Sequence, residues 1–203
     1  MDRPIHNPTP FGPADAGTDP FALFETWFRE ARTADPGNAA VVALATAASD
    51  ARPSLRMVLL KQHGPGGFVF HTNYESRKAG ELATNPHAAM TFWWPARERQ
   101  VRLEGRLEKL SPAESDAYFA TRPRESRLGA WASPQSSVIP EPVDLTKILA
   151  RFGTGPVPRP DNWGGFRLRP ETFEFWQGRD SRLHDRIRFI KNGTTWRIDR
   201  LAP

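Results

Sequence analysis

A mainly antiparallel β domain with peripheral helices, an α+β chain, is the fold class that this sequence predicts. Two observations carry it. Short β-prone runs recur between tight turn signals, and the few helical starts sit before or between those runs. The 203 residues suit one sizeable domain, or one domain with appended segments.

Taken in order, residues 1–18 hold four prolines and little apolar periodicity, and read as a flexible arm ahead of a single domain over 19–203. Asp19 can cap a helix, Pro20 suits its first position, and Phe21, Phe24, Phe28 and Ala31 fall on one face. Strands are expected at Ala40–Thr46, Ser54–Lys61 after the Ser49-Asp50 turn, Phe68–Thr72 after a glycine-rich turn, Ala88–Trp94 and Gln100–Leu107. A helix is expected near Ser76–Thr84, and Ser111-Pro112-Ala113-Glu114 is a capping box that opens another. Residues 134–163 carry six prolines around a short helical stretch at Asp144–Phe152, which marks a surface connection. Four further strand-like segments close the chain: Gly165–Arg169, Thr172–Gln177, Arg186–Ile190 and Thr195–Leu201.

Composition narrows the chemistry. With no cysteine, disulfides, thiol nucleophiles and cysteine-bound metals are excluded, and the five histidines lack ligand spacing, so no metal is expected. Apolar runs are too short for a membrane span and no signal peptide is visible, which makes the cytoplasm the default location. The net charge of +5 leaves two specific readings, nucleic-acid binding or pockets for phosphorylated small molecules. P-loop, Rossmann and nucleophile-elbow patterns are all missing.

Four segments carry candidate chemistry. Thr72-Asn73-Tyr74-Glu75-Ser76-Arg77-Lys78 ends a strand and opens a helix, which offers N–H groups, a serine hydroxyl and two cations to a phosphate. On the strand from Pro53 to Lys61, Arg56 and Lys61 fall on opposite faces under strict alternation, unless a bulge brings them together. Tyr118, Arg122 and Ser126 share a face if helical geometry persists past Pro123, and suit a second phosphate. Arg182, His184 and Arg186 would line one face of a strand, a cationic cluster that anions must relieve.

With these residues quoted, the chain resembles the pyridoxamine/pyridoxine 5′-phosphate oxidase family. The matching stretches are Arg56-Met57-Val58-Leu59-Leu60-Lys61, Thr72-Asn73 with Ser76-Arg77-Lys78, Glu98-Arg99-Gln100-Val101 and Arg122-Pro123-Arg124-Glu125-Ser126. Gly129–Ser133, Gln135-Ser136-Ser137, Trp163–Arg167, Glu174–Arg186 and Asp199–Pro203 continue in family order. The resemblance implies a six-stranded antiparallel split β-barrel of the FMN-binding type, acting as a homodimer with residues 170–203 at the interface. It implies FMN held by Arg56, Met57, Val58, Leu59, Leu60, Lys61, His71, Thr72, Arg77, Lys78 and Gln100 of one subunit. Gln135, Ser136, Trp176 and Arg186 would come from the other. Lys61, Tyr118, Arg122 and Ser126 would hold the substrate phosphate. Arg182 and His184, the implied catalytic pair, would orient the substrate ring. The implied reaction oxidises the C4′ amine or alcohol of a phosphorylated B6 vitamer to pyridoxal 5′-phosphate and reduces O2 to H2O2.

The chain departs from the family in three places. His71 stands where an aromatic such as tyrosine is frequent, the arm lacks an Arg-x-x-Tyr pattern, and the connection from 138 to 162 is short. Rival readings are a phenazine-pathway type of split-barrel oxidase, a non-catalytic FMN- or pyridoxal-phosphate-binding protein, and a nucleic-acid binder. Discrete cation sets rather than a basic stripe with interleaved aromatics disfavour the last.

Overall fold

The structure, a computed structural model, describes residues 10–203. Its order is α1 (Pro13–Ala16), α2 (Pro20–Ala34), β1 (Val41–Ala47), β2 (Pro53–Leu59), β3 (Phe68–Asn73), α3 (Arg77–Thr84), β4 (His87–Trp94) and β5 (Arg99–Lys109). There follow α4 (Pro112–Thr121), α5 (Arg124–Ala132), α6 (Thr146–Phe152), β6 (Trp163–Gln177), β7 (Asp185–Asn192) and β8 (Thr195–Leu201). No helix among the described residues is long and apolar enough to cross a membrane.

All strand pairs among the described residues are antiparallel. The sheet runs β2-β1-β4-β5-β6-β7-β8, with β3 joined to β6 off that path. The expected mainly β class with peripheral helices is what the chain adopts, with eight strands rather than six. Strand β6 organises the barrel. It pairs with β5 along its length, while its other edge serves β3 over Trp163–Leu168 and then β7 over Thr172–Gln177. Two separate strands were expected in this stretch. One continuous strand forms because a register shift between Glu104 and Gly105 accommodates Pro170, which has no N–H to donate. A Cβ on Gly105 would lie 2.0 Å from the Arg169 carbonyl oxygen, so only glycine permits this close approach.

Helix α2 forms as expected. The Asp19 carboxylate accepts from the Phe21 N–H at 2.9 Å, and Pro20 opens the first turn. Its apolar face is driven into the barrel, where Phe24 meets Phe68, Phe92 and Trp94. Trp27 stands edge-on to Phe175 at 5.3 Å. At α4 the capping box is complete, with Glu114 N–H donating to Ser111 Oγ and Ser111 N–H to Glu114 Oε2.

Two local expectations change. Residues 10–18, part of the segment read as a flexible arm, hold α1 and bury Phe11 against Trp27 at 5.1 Å. The remainder of that reading, residues 1–9, lies outside the described residues. Helix α5 was not anticipated, because Pro123 reads locally as a breaker. Pro123 instead occupies the N-cap position and starts a new helix.

Candidate active site

Between β2, the end of β3, α3, α4 and α5 lies a cavity of about 980 Å³, at the upper end of the range for small-molecule sites. Its lining includes Arg56, Met57, Val58, Leu59, Lys61, His71, Thr72, Arg77, Lys78, Tyr118, Arg122, Ser126, Gln135 and Ser136. Five of these are cations, and among the described residues no carboxylate lines the cavity.

Of the two arrangements left open for Arg56 and Lys61, opposite faces or a bulge that brings them together, neither describes β2, which ends at Leu59 so that alternation stops before Lys61. Both reach the cavity. Leu60 does not; it is a core residue, 6% exposed. As an edge strand paired only with β1 among the described residues, β2 leaves a row of backbone N–H and C=O groups along its free edge, suited to a hydrogen-bonding partner.

The cations form two sets. In the first, Lys78 is buried and donates to Thr72 Oγ1 at 2.8 Å, Gln135 Oε1 at 2.7 Å and Ser76 Oγ at 3.1 Å. Burial, then the charge of Arg56, lowers its pKa to about 8. Ser76, expected to offer its hydroxyl to a ligand, is 1% exposed and uses it on Asn73 and Lys78. Behind this set the buried Glu81 carboxylate receives Thr46 Oγ1 at 2.5 Å, Ser54 Oγ at 2.6 Å, Arg56 Nη2 at 3.3 Å and Arg77 Nε at 2.8 Å. Burial would raise the Glu81 pKa, but the hydrogen bonds from Ser54, Thr46 and Arg77 and the Arg56 charge pull it down to about 2. Sequence reasoning missed Glu81; its i,i+4 spacing from Arg77 was the available signal.

The second set is Lys61 and Arg122 around His71. The His71 ring stacks on Tyr118 at 3.9 Å and on Trp163 at 5.2 Å. Arg122 lies over Trp163 at 4.5 Å. Burial, then Arg122 and Lys61, lowers the His71 pKa to about 4, so this ring is neutral near pH 7. Helix α4 ends at Thr121, so Tyr118, Arg122 and Ser126 do not share a continuous helix; the α4–α5 turn gathers them at the cavity instead. One Arg122 guanidinium nitrogen is buried with no hydrogen-bond partner among the described residues, as expected of a cation shaped for an anion.

Gln135 and Ser136, expected from another subunit, line this chain's own cavity, and Gln135 bonds Thr72 and Lys78 directly. Gln100, Trp176, Arg182, His184 and Arg186 are absent from that lining. Gln100, Trp176, His184 and Arg186 gather elsewhere, and Arg182 lies in the turn just before His184. Gln100 is registered between Trp93 and Trp176, and Trp176 opposite Arg186. His184 packs on Trp176 at 4.5 Å. Gln100, expected beside the first group, therefore belongs to this second one. The predicted strand face of Arg182, His184 and Arg186 does not form, because β7 begins at Asp185 and Arg182 sits in a 3-10 turn. The Arg186 charge is met by Glu174 at 2.9 Å.

The chain as a whole has clear relatives among known proteins. Residues 30–150 match the pyridoxamine 5′-phosphate oxidase family, and residues 163–203 match the pyridoxine 5′-phosphate oxidase C-terminal dimerisation region. The chain belongs to the pyridoxamine 5′-phosphate oxidase family. Membership brings FMN as cofactor and oxidoreductase chemistry, and the C-terminal match supports a homodimer. The pyridoxine/pyridoxamine 5′-phosphate oxidase of Burkholderia vietnamiensis (strain G4 / LMG 22486) is 53% identical over 197 residues, 94% of this chain and 92% of that protein. The Sphingopyxis alaskensis oxidase of the same name is 51% identical over 193 residues, 91% of this chain and 88% of its own length. Among solved structures, PhzG from Burkholderia lata 383 in complex with tetrahydrophenazine-1-carboxylic acid superposes with a TM-score of 0.87 at 29% identity, covering 97% of this chain and 99% of PhzG. A pyridoxamine 5′-phosphate oxidase-related, FMN-binding protein from Nostoc punctiforme shares the fold at a TM-score of 0.73 and 20% identity, covering 89% of this chain and 97% of its own.

Proposed function

We propose that this oxidase converts pyridoxamine 5′-phosphate and pyridoxine 5′-phosphate to pyridoxal 5′-phosphate. The amine, O2 and water give aldehyde, ammonia and H2O2; the alcohol and O2 give aldehyde and H2O2. One observation carries the reading: one cavity, lined by no carboxylate among the described residues, holds two cation sets, as a phosphorylated cofactor and a phosphorylated substrate together require.

The residues fit FMN. Arg56, Arg77 and Lys78, with Thr72 and Gln135, would hold its phosphate, and the β2 edge from Arg56 through Lys61 would run beside its ring system. When bound, FMN supplies the two-electron acceptor for the substrate C4′ carbon and passes those electrons to O2. Lys61, Arg122, Tyr118 and Ser126 would hold the substrate phosphate, where the unpartnered Arg122 nitrogen finds an acceptor. His71 flanks this subsite as a neutral stacking ring. Its substitution for an aromatic keeps the flat surface and adds no charge beside the two cations.

Gln100, Trp176, Arg182, His184 and Arg186 would complete the site from the partner subunit, with Arg182 and His184 against the substrate ring. His184 Nδ1 accepts the Arg179 N–H at 3.1 Å, so the neutral ring carries its proton on Nε2 and offers a donor there. This pair orients and polarises the substrate.

An absorbance scan tests the reading. A flavin band that bleaches on anaerobic addition of pyridoxamine 5′-phosphate and returns with air, yielding pyridoxal 5′-phosphate, is expected. The similarity to PhzG favours one alternative, a phenazine-type substrate. Bleaching only with a reduced phenazine carboxylate would replace the B6 reading. The higher identity to the B6 oxidases and the presence of Tyr118, Arg122 and Ser126 at the cavity support the vitamer.

A further inference from the structure

The five residues from Arg179 to Leu183 that precede His184 make a turn with an unfavourable backbone. Ser181 and Arg182 both adopt left-handed conformations, with φ of 57° and 61°. Consecutive non-glycine residues persist in that region only where their surroundings over-determine them. Within the turn the backbone supplies two constraints: the Arg179 N–H on His184 Nδ1 and the Leu183 N–H on the Asp180 carbonyl at 3.2 Å.

An external constraint comes from a carboxylate with no role in the proposed oxidation so far. Asp185, 5% exposed, opens β7 immediately after His184. Its Oδ2 faces Arg179 Nε at 3.5 Å, which closes the base of the turn. The same oxygen accepts the Phe11 N–H at 3.0 Å, and Oδ1 meets Arg200 Nη2 from β8 at 2.5 Å. One buried anion thus ties together the first residue of the turn, the segment before α1 and the last strand. Phe11 is itself anchored on Trp27 of α2, so the carboxylate is referenced to the barrel core. Removing one partner of such a buried, multiply bonded charge frees every group it held.

We propose that Asp185 is a positioning residue for oxidation: its carboxylate holds the 179–184 turn so that His184 meets the substrate in a fixed orientation. The inference rests on the assignment of His184 to the substrate. It also gives residues 10–16 a place in catalysis, as part of the footing of the turn.

The test is a double-mutant cycle on FMN-saturated protein with pyridoxamine 5′-phosphate, comparing wild type, Asp185→Asn, His184→Ala and the double variant. A misplaced orienting group costs about tenfold to a hundredfold. Asp185→Asn should therefore lower kcat/KM by about tenfold with its FMN Kd nearly unchanged. In the His184→Ala background, where the turn still positions Arg182, the same substitution should cost clearly less, about threefold or below, the non-additivity expected of residues acting as a unit. A full tenfold loss in both backgrounds would show a general structural effect and overturn the proposal. No loss in wild type, while His184→Ala still impairs turnover, would overturn it and leave the functional reading intact. A silent His184→Ala would sink the assignment of His184 and the proposal with it. If Asp185→Asn does not fold, Arg200→Gln at a half-exposed partner loosens the same carboxylate, and its smaller loss must likewise shrink beside His184→Ala.

Discussion

Lys78 and Glu81 show what burial does to charges that a binding site needs. Lys78 has a pKa lowered to about 8, so the fold disfavours its proton. That cost is present in full below about pH 8 and is relieved as pH rises toward the ordinary lysine value. A bound phosphate reverses the preference by rewarding the charged form. FMN affinity should therefore weaken as pH climbs above about 8, by up to about tenfold per pH unit. Lys78→Arg should flatten that dependence in a flavin-fluorescence titration; a flat wild-type profile would remove Lys78 from the phosphate contacts. Glu81 has the opposite sign. Its pKa is depressed to about 2, so its stabilisation is present above the ordinary glutamate pKa and lost as pH falls toward 2. Glu81→Ala would leave Arg56, Arg77, Thr46 and Ser54 facing an empty position, at a cost of about 3–5 kcal/mol for breaking a buried pair. Denaturant unfolding near pH 7 should show that loss, and it should shrink at low pH where wild type has surrendered the same interaction.

At the level of elements, α2 and β6 do most of the construction. α2 is inserted by aromatic burial, so Phe24→Ala should cost about 3–5 kcal/mol, whereas losing the cap through Asp19→Ala should cost about 1 kcal/mol. Equal losses from the two in thermal unfolding would mean that α2 stands by its own propensity rather than by packing. For β6, the bulge at Pro170 allows one strand to serve β5, β3 and β7. Gly105→Ala would press a methyl group on the Arg169 carbonyl oxygen and should destabilise the barrel, although alanine is otherwise no worse than glycine in a strand.

For the whole molecule, the exposed sheet face is the informative feature. Leu55, Met57, Leu59 and Trp93 stand 69%, 60%, 49% and 48% exposed on one side of the sheet, an apolar surface larger than isolated exposed residues would make. The row Trp93, Gln100, Trp176, Arg186 crosses this same face, so the second group of site residues sits beside it. A second copy docked there would cover the apolar face and carry its Trp176, His184 and Arg186 toward the cavity. Trp93→Asp, outside the cavity lining, should shift the protein toward monomer in light scattering and weaken FMN binding together. A monomer that kept wild-type FMN affinity would show that one chain forms the complete cofactor site.

Much of this was legible in residue order. Helix α2 and the capping box at Ser111 could be read because caps and apolar spacing are local signals, and the antiparallel β class followed from short runs between turns. The cofactor and the cavity-lining residues came with the family motifs. What the sequence could not settle depends on long-range geometry. Strict alternation misplaced Lys61 because β2 stops two residues earlier, and Arg182 and His184 lie in a turn held by groups far away in the chain. Glu81 looked like an ordinary helix-face carboxylate until burial brought Thr46, Ser54, Arg56 and Arg77 to it. Only tertiary structure divided the expected site residues into two separate groups, because pairing register and strand ends, rather than residue identity, decide which side chains share a space.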